Sequence, residues 1–504
     1  MSERELPEER VRPGAHVHGP EVENPRTALL SRPVLAVVTL LALIGATEAI
    51  PSLSRFSPLR RAARTEPAEA TAPTSLDLGE AELETETRSA AELPTGETRG
   101  GDLGRGPIAH APDRAGDVAR IDEKAPPVLL EDASGSALTG FYRALLKTAR
   151  KEPGALTRVT HFGDSIVVSD YVSSTLRRRL QTQFGDGGHG FSLLANAWPG
   201  YAHQDVYRFA SRGWRVSRVV GPLAADGSYG LGGVSFRASP GARSRFGTAK
   251  KGDFGRRVSR FVVYYLEQPN GGSFQVNMDG APRAVVSSHA ERAASAVHEL
   301  RVPDGEHELE IVTRTGEFRG FGVVMEREGP GVVLDAIGIQ GARIRFLDKQ
   351  DDAHWAEQLK LRAPHLLVYQ FGANESSDGF AYPMPAYLAT MKAVLAQGKR
   401  ALPDAGCLVI GAMDRAHKPD TELVSLPVIP KLVERQRRAA AEEGCAFFDT
   451  YRAMGGSGSM ASWVRRGLGQ ADMTHPSGVG SEIVGTWIFR ALMHGFNAFV
   501  AAQR

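Results

Sequence analysis

Cysteine is almost missing from this chain: Cys407 and Cys445 are the only two in 504 residues. So few thiols exclude a disulfide-dense scaffold and argue against cysteine chemistry as the function. Each opens an apolar run, CLVIGA and CAFFD, that reads as a buried strand. Buried free thiols are the preferred state, and a disulfide is the alternative because the chain is expected to leave the cytosol. Charge of one sign is equally scarce. The 60 basic and 58 acidic residues leave a formal charge of +2, so no global field points to nucleic acid as a partner. The basic runs Arg177 to Arg179 and Arg435 to Arg438 fit exposed helix faces instead. Aromatics are sparse at 7%, but 42% hydrophobic content over this length still allows two or three cores outside the N-terminal quarter. No internal repeat is present.

What the sequence does have begins with an apolar run, VLAVVTLLALIGAT, from Val34 to Thr47. Arg26 and Arg32 precede it, Glu48 follows, and Ala49 and Ile50 extend it toward spanning length. Basic residues on the N-terminal side favour a cytoplasmic N-terminus. The expected arrangement is a cytoplasmic segment over 1–32, a signal anchor (transmembrane helix) over 33–50 that makes the membrane a partner, and export of the rest. A cleaved signal peptide is the rival, disfavoured by the polar stretch in front. Residues 51–128 are rich in Ala, Glu, Thr, Pro and Gly and lack an apolar period. Such a segment cannot offset its chain entropy by burial, so a disordered tether is expected.

From 129 onward strand alternates with helix. Arg158 to Gly163 reads as a first strand, after which Val168, Val172, Leu176, Leu180 and Phe184 recur at helical spacing until Gly185-Asp186-Gly187-Gly188 stops the helix. Further apolar strands fall at 334–340, 366–371, 407–412 and 445–449. Helical patterns occupy 351–362, 384–401, 429–443 and 478–496. Continuous apolar strands separated by amphipathic helices predict an α/β fold with a parallel sheet covered on both faces, and in such sheets ligands bind at the C-terminal strand ends. The stretch 211–330 breaks this rhythm. Runs such as FVVYYLE, SFQVNMDG and HELEIVT, punctuated by Asn270-Gly271, Asp279-Gly280 and Asp304-Gly305, predict a β-sandwich inserted between two parts of the α/β domain, 129–210 and 331–504.

Four short segments carry the chemistry: Gly163-Asp164-Ser165, Gly341, Gly372-Ala373-Asn374-Glu375 and Asp472-Met473-Thr474-His475. The first three fall just past predicted strand ends, and the fourth precedes the last helix. A hydroxyl becomes a nucleophile when a base takes its proton, so Ser165 is the expected nucleophile, His475 its base and Asp472 the group that orients the ring. The amides of Ser165 and Gly341 and the side-chain amide of Asn374 are the expected oxyanion donors. Asp164 is expected to hold loop amides. This chemistry calls for no metal and no cofactor; a metal-assisted alternative would use His161, Asp164, Asp472 and His475 as ligands. Asp414, Arg415 and His417 could line the cleft, with a solvated loop the preferred reading, and Ser457, Ser459, Met460 and Trp463 read as either a substrate wall or packing.

As a set, these four segments make the chain resemble the SGNH, or GDSL-type, hydrolase family over about 129–504. The resemblance implies a flavodoxin-like, three-layer α/β fold and serine esterase activity. Two positions depart from the family pattern: Glu375 stands where Asp is frequent, and Ile166 where the family name implies Leu. The stretches TLRRRLQTQFGDGGHGF and AAAEEGCAFFDTYRAMGGSGSMASWVRRGL are similar to a branch containing bacterial envelope peptidoglycan O-acetylesterases, in which a sandwich resembling a carbohydrate-binding module is inserted. That similarity implies an acylated polysaccharide or peptidoglycan substrate and a catalytic domain in the periplasm, tethered to the bacterial inner membrane by a single pass. O-acetyl transfer by the same serine, and a catalytically inert glycan-binding protein, are the alternatives.

Overall fold

The computed structural model of the protein describes residues 118–419 and 421–503. The expected cytoplasmic segment, the anchor and most of the tether lie outside them. Among the described residues no helix is long and apolar enough to cross a membrane. The end of the expected tether behaves as part of the fold. Val118 and Ile121 are buried, Ile121 N donates to Asn497 Oδ1 at 3.0 Å, and Asn497 Nδ2 donates to Ile121 O at 2.9 Å. Two apolar residues in a polar stretch are enough to dock it on the last helix.

Five strands form the central sheet: β1 (Leu156–Gly163), β2 (Gly331–Gly338), β3 (Leu366–Gln370), β4 (Gly406–Ile410) and β5 (Ala446–Phe448). They are parallel, in the order β2-β1-β3-β4-β5. Six helices flank it: α1 (Thr139–Ala149), α2 (Tyr171–Phe184), α3 (Asp352–Arg362), α4 (Met384–Ala401), α5 (Ile429–Glu442) and α6 (Gly478–Ala501). Strand residues alternate between the two cores, which is why the strands read as unbroken apolar runs. Leu366 and Val368 join α1, α2 and α6 in one core, while Leu367 and Tyr369 join α3, α4 and α5 in the other. The chain leaves β1 toward β2 and returns to the far side for β3. That reversal opens a crevice beyond the C-terminal ends of β1 and β3.

The cysteines depart from the preferred expectation. Cys407 in β4 and Cys445 just before β5 are joined in a disulfide with Cα atoms 4.7 Å apart. The register pairs Leu408 with Ala446, so the preceding residues of the two strands are brought side by side. Apolar flanks told of burial; only the register makes the bond.

The sandwich starts earlier than 211. Gly190–Leu193 pairs with Phe318–Glu326 in one antiparallel sheet, and Tyr207–Ala210 pairs with Arg243–Gly247 in the other. The first sheet also contains Arg215–Arg218, Val234–Ala238, Val258–Glu267 and Ala294–Gly305; the second contains Ser273–Met278, Ala281–Ser287 and Glu308–Thr315. Asn270 and Asp279 take the left-handed conformations that their turns demand, with φ of 60° and 53°.

A buried ionic network joins this sandwich to the sheet. Glu326, at the end of a sandwich strand, accepts from Arg158 Nε of β1 at 2.7 Å and from Arg362 Nη1 of α3 at 2.6 Å. Arg362 also donates to both oxygens of Asp335 in β2, at 2.7 and 2.9 Å, and Asp335 accepts from Phe191 N of the sandwich at 2.8 Å. Burial disfavours a charged Glu326, but the two guanidiniums outweigh it and hold its carboxyl well below the usual range. One continuous apolar core runs from Phe162, Tyr369 and Trp355 through Phe191 and Val323 into the sandwich.

Candidate active site

Gly163 ends β1 where no side chain fits: a Cβ there would lie 2.2 Å from Val167 Cγ2 and 2.7 Å from Gln370 O. The tight turn that follows starts the short helix Ser165–Val168, capped by Asp164, whose Oδ1 accepts from Ile166 N at 3.0 Å. Asp164 Oδ2 accepts from Ala373 N at 3.3 Å, so one carboxylate holds the Ser165 turn against the segment carrying Asn374. Burial pushes the Asp164 carboxyl up to about 6, against the pull of these amides and of the Arg415 charge. Ser165 is 9% exposed, at the floor of the cleft.

Ser165 Oγ lies 2.7 Å from His475 Nε2, and His475 Nδ1 lies 2.6 Å from Asp472 Oδ2. A carboxylate only accepts, which places the proton on Nδ1 and leaves Nε2 to accept from the serine hydroxyl. Asp472 Oδ1 also takes the amides of Thr474 and His475, at 2.9 and 3.0 Å. Burial raises the Asp472 carboxyl, but the three hydrogen bonds around it win and hold it below its ordinary value. The reversal is made at Met473, which adopts φ of 59°. A non-glycine residue there is strained, and the turn is tied down by Ala416 N donating to Met473 O at 3.0 Å and Gln470 N donating to His475 O at 2.8 Å.

Gly341 sits three residues past β2, at φ of 73°, beside the same strand end. Neither its amide nor that of Ser165 has a partner among the described residues. Asn374 differs from expectation in one respect: its Nδ2 donates to Ala342 O at 2.8 Å, bracing the Gly341 turn, with the second N–H of that group left over. His161, a residue of the metal alternative, points elsewhere: its Nδ1 meets Ser173 Oγ at 3.1 Å in the interior.

Arg415 departs from the preferred reading of its loop. Far from being solvated, its guanidinium donates to Ala373 O, to Ser376 Oγ at 2.7 Å and to Ser377 Oγ at 3.0 Å, and reaches Thr474 Oγ1 at 3.0 Å. It straps the Asn374 segment to the Asp472–His475 turn. Its neighbour Asp414 is buried and accepts from Ser459 Oγ at 3.3 Å and Met460 N at 2.9 Å. Met460 and Trp463 are buried, with Trp463 packed 5.8 Å from Trp487, so they form core and no substrate wall. Glu375 is also fully buried. Its Oε1 accepts from Ile344 N at 2.8 Å, and burial, aided by the nearby Asp164 charge, pushes its carboxyl up to about 7.

Fold and site together resemble those of an SGNH-type hydrolase. Residues 308–483 match the model of the GDSL-like lipase/acylhydrolase family. Ser165 lies outside that stretch, separated from it in sequence by most of the sandwich. A solved structure of a peptidoglycan O-acetylesterase superposes with a TM-score of 0.62 at 22% identity, over 74% of this chain and 100% of that one. A family two carbohydrate esterase from Cellvibrio japonicus aligns at 14% identity over 58% of this chain and 99% of that one, with a TM-score of 0.24. A comparison with curated proteins gives no match.

Proposed function

We propose that the protein is a serine esterase that removes O-acetyl groups from a cell-envelope glycan such as peptidoglycan. The observation that carries this reading is the hydrogen-bonded series Ser165 Oγ, His475 Nε2, His475 Nδ1, Asp472 Oδ2, with steps of 2.7 and 2.6 Å. Ser165 Oγ attacks the acetyl carbonyl while its proton passes to His475 Nε2, and Asp472 steadies the imidazolium. The oxyanion is received by the amides of Ser165 and Gly341 and the remaining N–H of Asn374 Nδ2. His475 returns the proton to the departing sugar oxygen. Water then repeats the sequence on the acetyl-serine and releases acetate.

The glycan part of the reading rests on the sequence similarity around the serine and ahead of Asp472, and the fold shared with a peptidoglycan O-acetylesterase accommodates it. The disulfide supports a place outside the cytoplasm, where such bonds persist, and the apolar run at 33–50 would supply the tether. The test is acetate release from O-acetylated peptidoglycan. Wild-type protein should release it and Ser165→Ala should fall by several orders of magnitude; residual activity within about tenfold of wild type would reject the serine.

A further inference from the structure

Among the described residues, one large aromatic is exposed: Phe380, at 60%. It lies near the end of the 3₁₀ segment Glu375–Ala381, which begins at the residue after Asn374. This segment is firmly held. Arg343 donates to both oxygens of Asp378 at 2.5 and 2.9 Å, Arg415 bonds Ser376 and Ser377, and Gly379 at φ of 56° turns the chain just before the ring. Leaving a phenyl ring in water forgoes roughly 2 kcal/mol of burial. A phenyl ring held rigidly in the open offers a flat apolar face on which a ligand ring can stack.

Cations gather around it, beside the Arg343–Asp378 pair. Lys431, in the first turn of α5, holds Nζ 4.8 Å from the Phe380 ring centroid. Arg345 and Lys349 flank Phe346 at 5.3 and 4.7 Å on the Gly341 side. None of these three cations makes an ion pair among the described residues. Topology sets their place: Ser165 follows β1, Phe380 follows β3, and Lys431 follows the loop that leaves β4, so all stand at the C-terminal edge of one sheet.

We propose that Phe380 and Lys431 form a subsite that stacks one sugar ring of an anionic glycan whose ester lies at Ser165; this rests on the esterase reading. Lys431 covers one face of the phenyl ring, and the open face takes the C–H face of a pyranose. The ammonium group meets a carboxylate borne by, or attached to, the neighbouring sugar.

Binding to proteins carrying Ser165→Ala separates this from turnover. The probes are a soluble O-acetylated peptidoglycan fragment with free carboxylates and a neutral chito-oligosaccharide of equal length. Adding Phe380→Ala should weaken both about tenfold. Adding Lys431→Gln should weaken only the carboxylate-bearing fragment, and that loss should vanish at high salt. Unchanged affinity with Phe380→Ala, or equal losses on both probes with Lys431→Gln, would overturn the subsite. If the binding pattern holds while wild-type protein releases no acetate, the esterase reading fails and the subsite stands.

Discussion

Ser165, His475 and Asp472 are linked in one hydrogen-bonded series that hands a proton from serine to imidazole. Residues that act as a unit do not contribute additively. His475→Ala should therefore cost about as much turnover as Ser165→Ala, and the double variant should be barely worse than either; multiplied losses in steady-state kinetics would contradict the relay. Asp472→Asn should hurt less, because two backbone amides still fix the turn through the retained carbonyl oxygen. Glu375 makes a different prediction. Its carboxyl rises from the ordinary value of 4.5 to about 7 in the fold, so the folded state holds this proton more tightly than the unfolded chain. The stability that comes from the protonated group is complete below about pH 4 and is lost as pH climbs through 7. Glu375→Gln keeps the acceptor for Ile344 N and removes the titration. Its thermal midpoint should be close to wild type at pH 5 and above it at pH 8; a difference that does not grow with pH would refute the assignment.

Elements show how the turns are held in register. Arg415 leaves the loop after β4 and ties the segment after β3 to the turn before α6. Arg415→Met should lower kcat on a small acetyl ester by roughly 10 to 100-fold, the scale at which misplaced groups act, with a thermal midpoint little changed. Arg415→Lys, able to make only some of the bonds, should fall between. A kcat equal to wild type in both variants would show that the strap is idle. This arginine also marks where the sequence stops being legible. Strand ends, glycines and the Asp-x-x-His spacing are local signals, and they placed Ser165, Gly341, Asn374 and His475 at one edge. Arg415 offers only a charge in a loop, and its value comes from three segments that meet in space. The same holds for Cys407 and Cys445, joined by register, and for Trp463, whose burial depends on α6. The sandwich began at Gly190 rather than 211 because a four-residue strand between glycines and a tryptophan turn carries no period of its own.

At the scale of the whole molecule, the sandwich and the catalytic sheet share a core and the Glu326 network. A binding module on a hinge could be removed without harm to its neighbour, and this one cannot. Excising 190–326 would expose Phe162, Ile337 and Trp355 and leave Arg158 and Arg362 without Glu326, so the product should fail to refold, as read by circular dichroism and gel filtration. Glu326→Gln tests the point more gently. It breaks a buried charge cluster, a change that typically costs about 3–5 kcal/mol, and should lower the thermal midpoint markedly while leaving Ser165 intact; a shift under about 2 °C would make the network dispensable. The network also bears on ancestry. Separate pieces could each drift alone, but Glu326 of the sandwich is bonded to Arg158 and Arg362 of the sheet and its helix. Across relatives these three positions should change together or not at all, and the insertion should be inherited whole with the sheet that it completes.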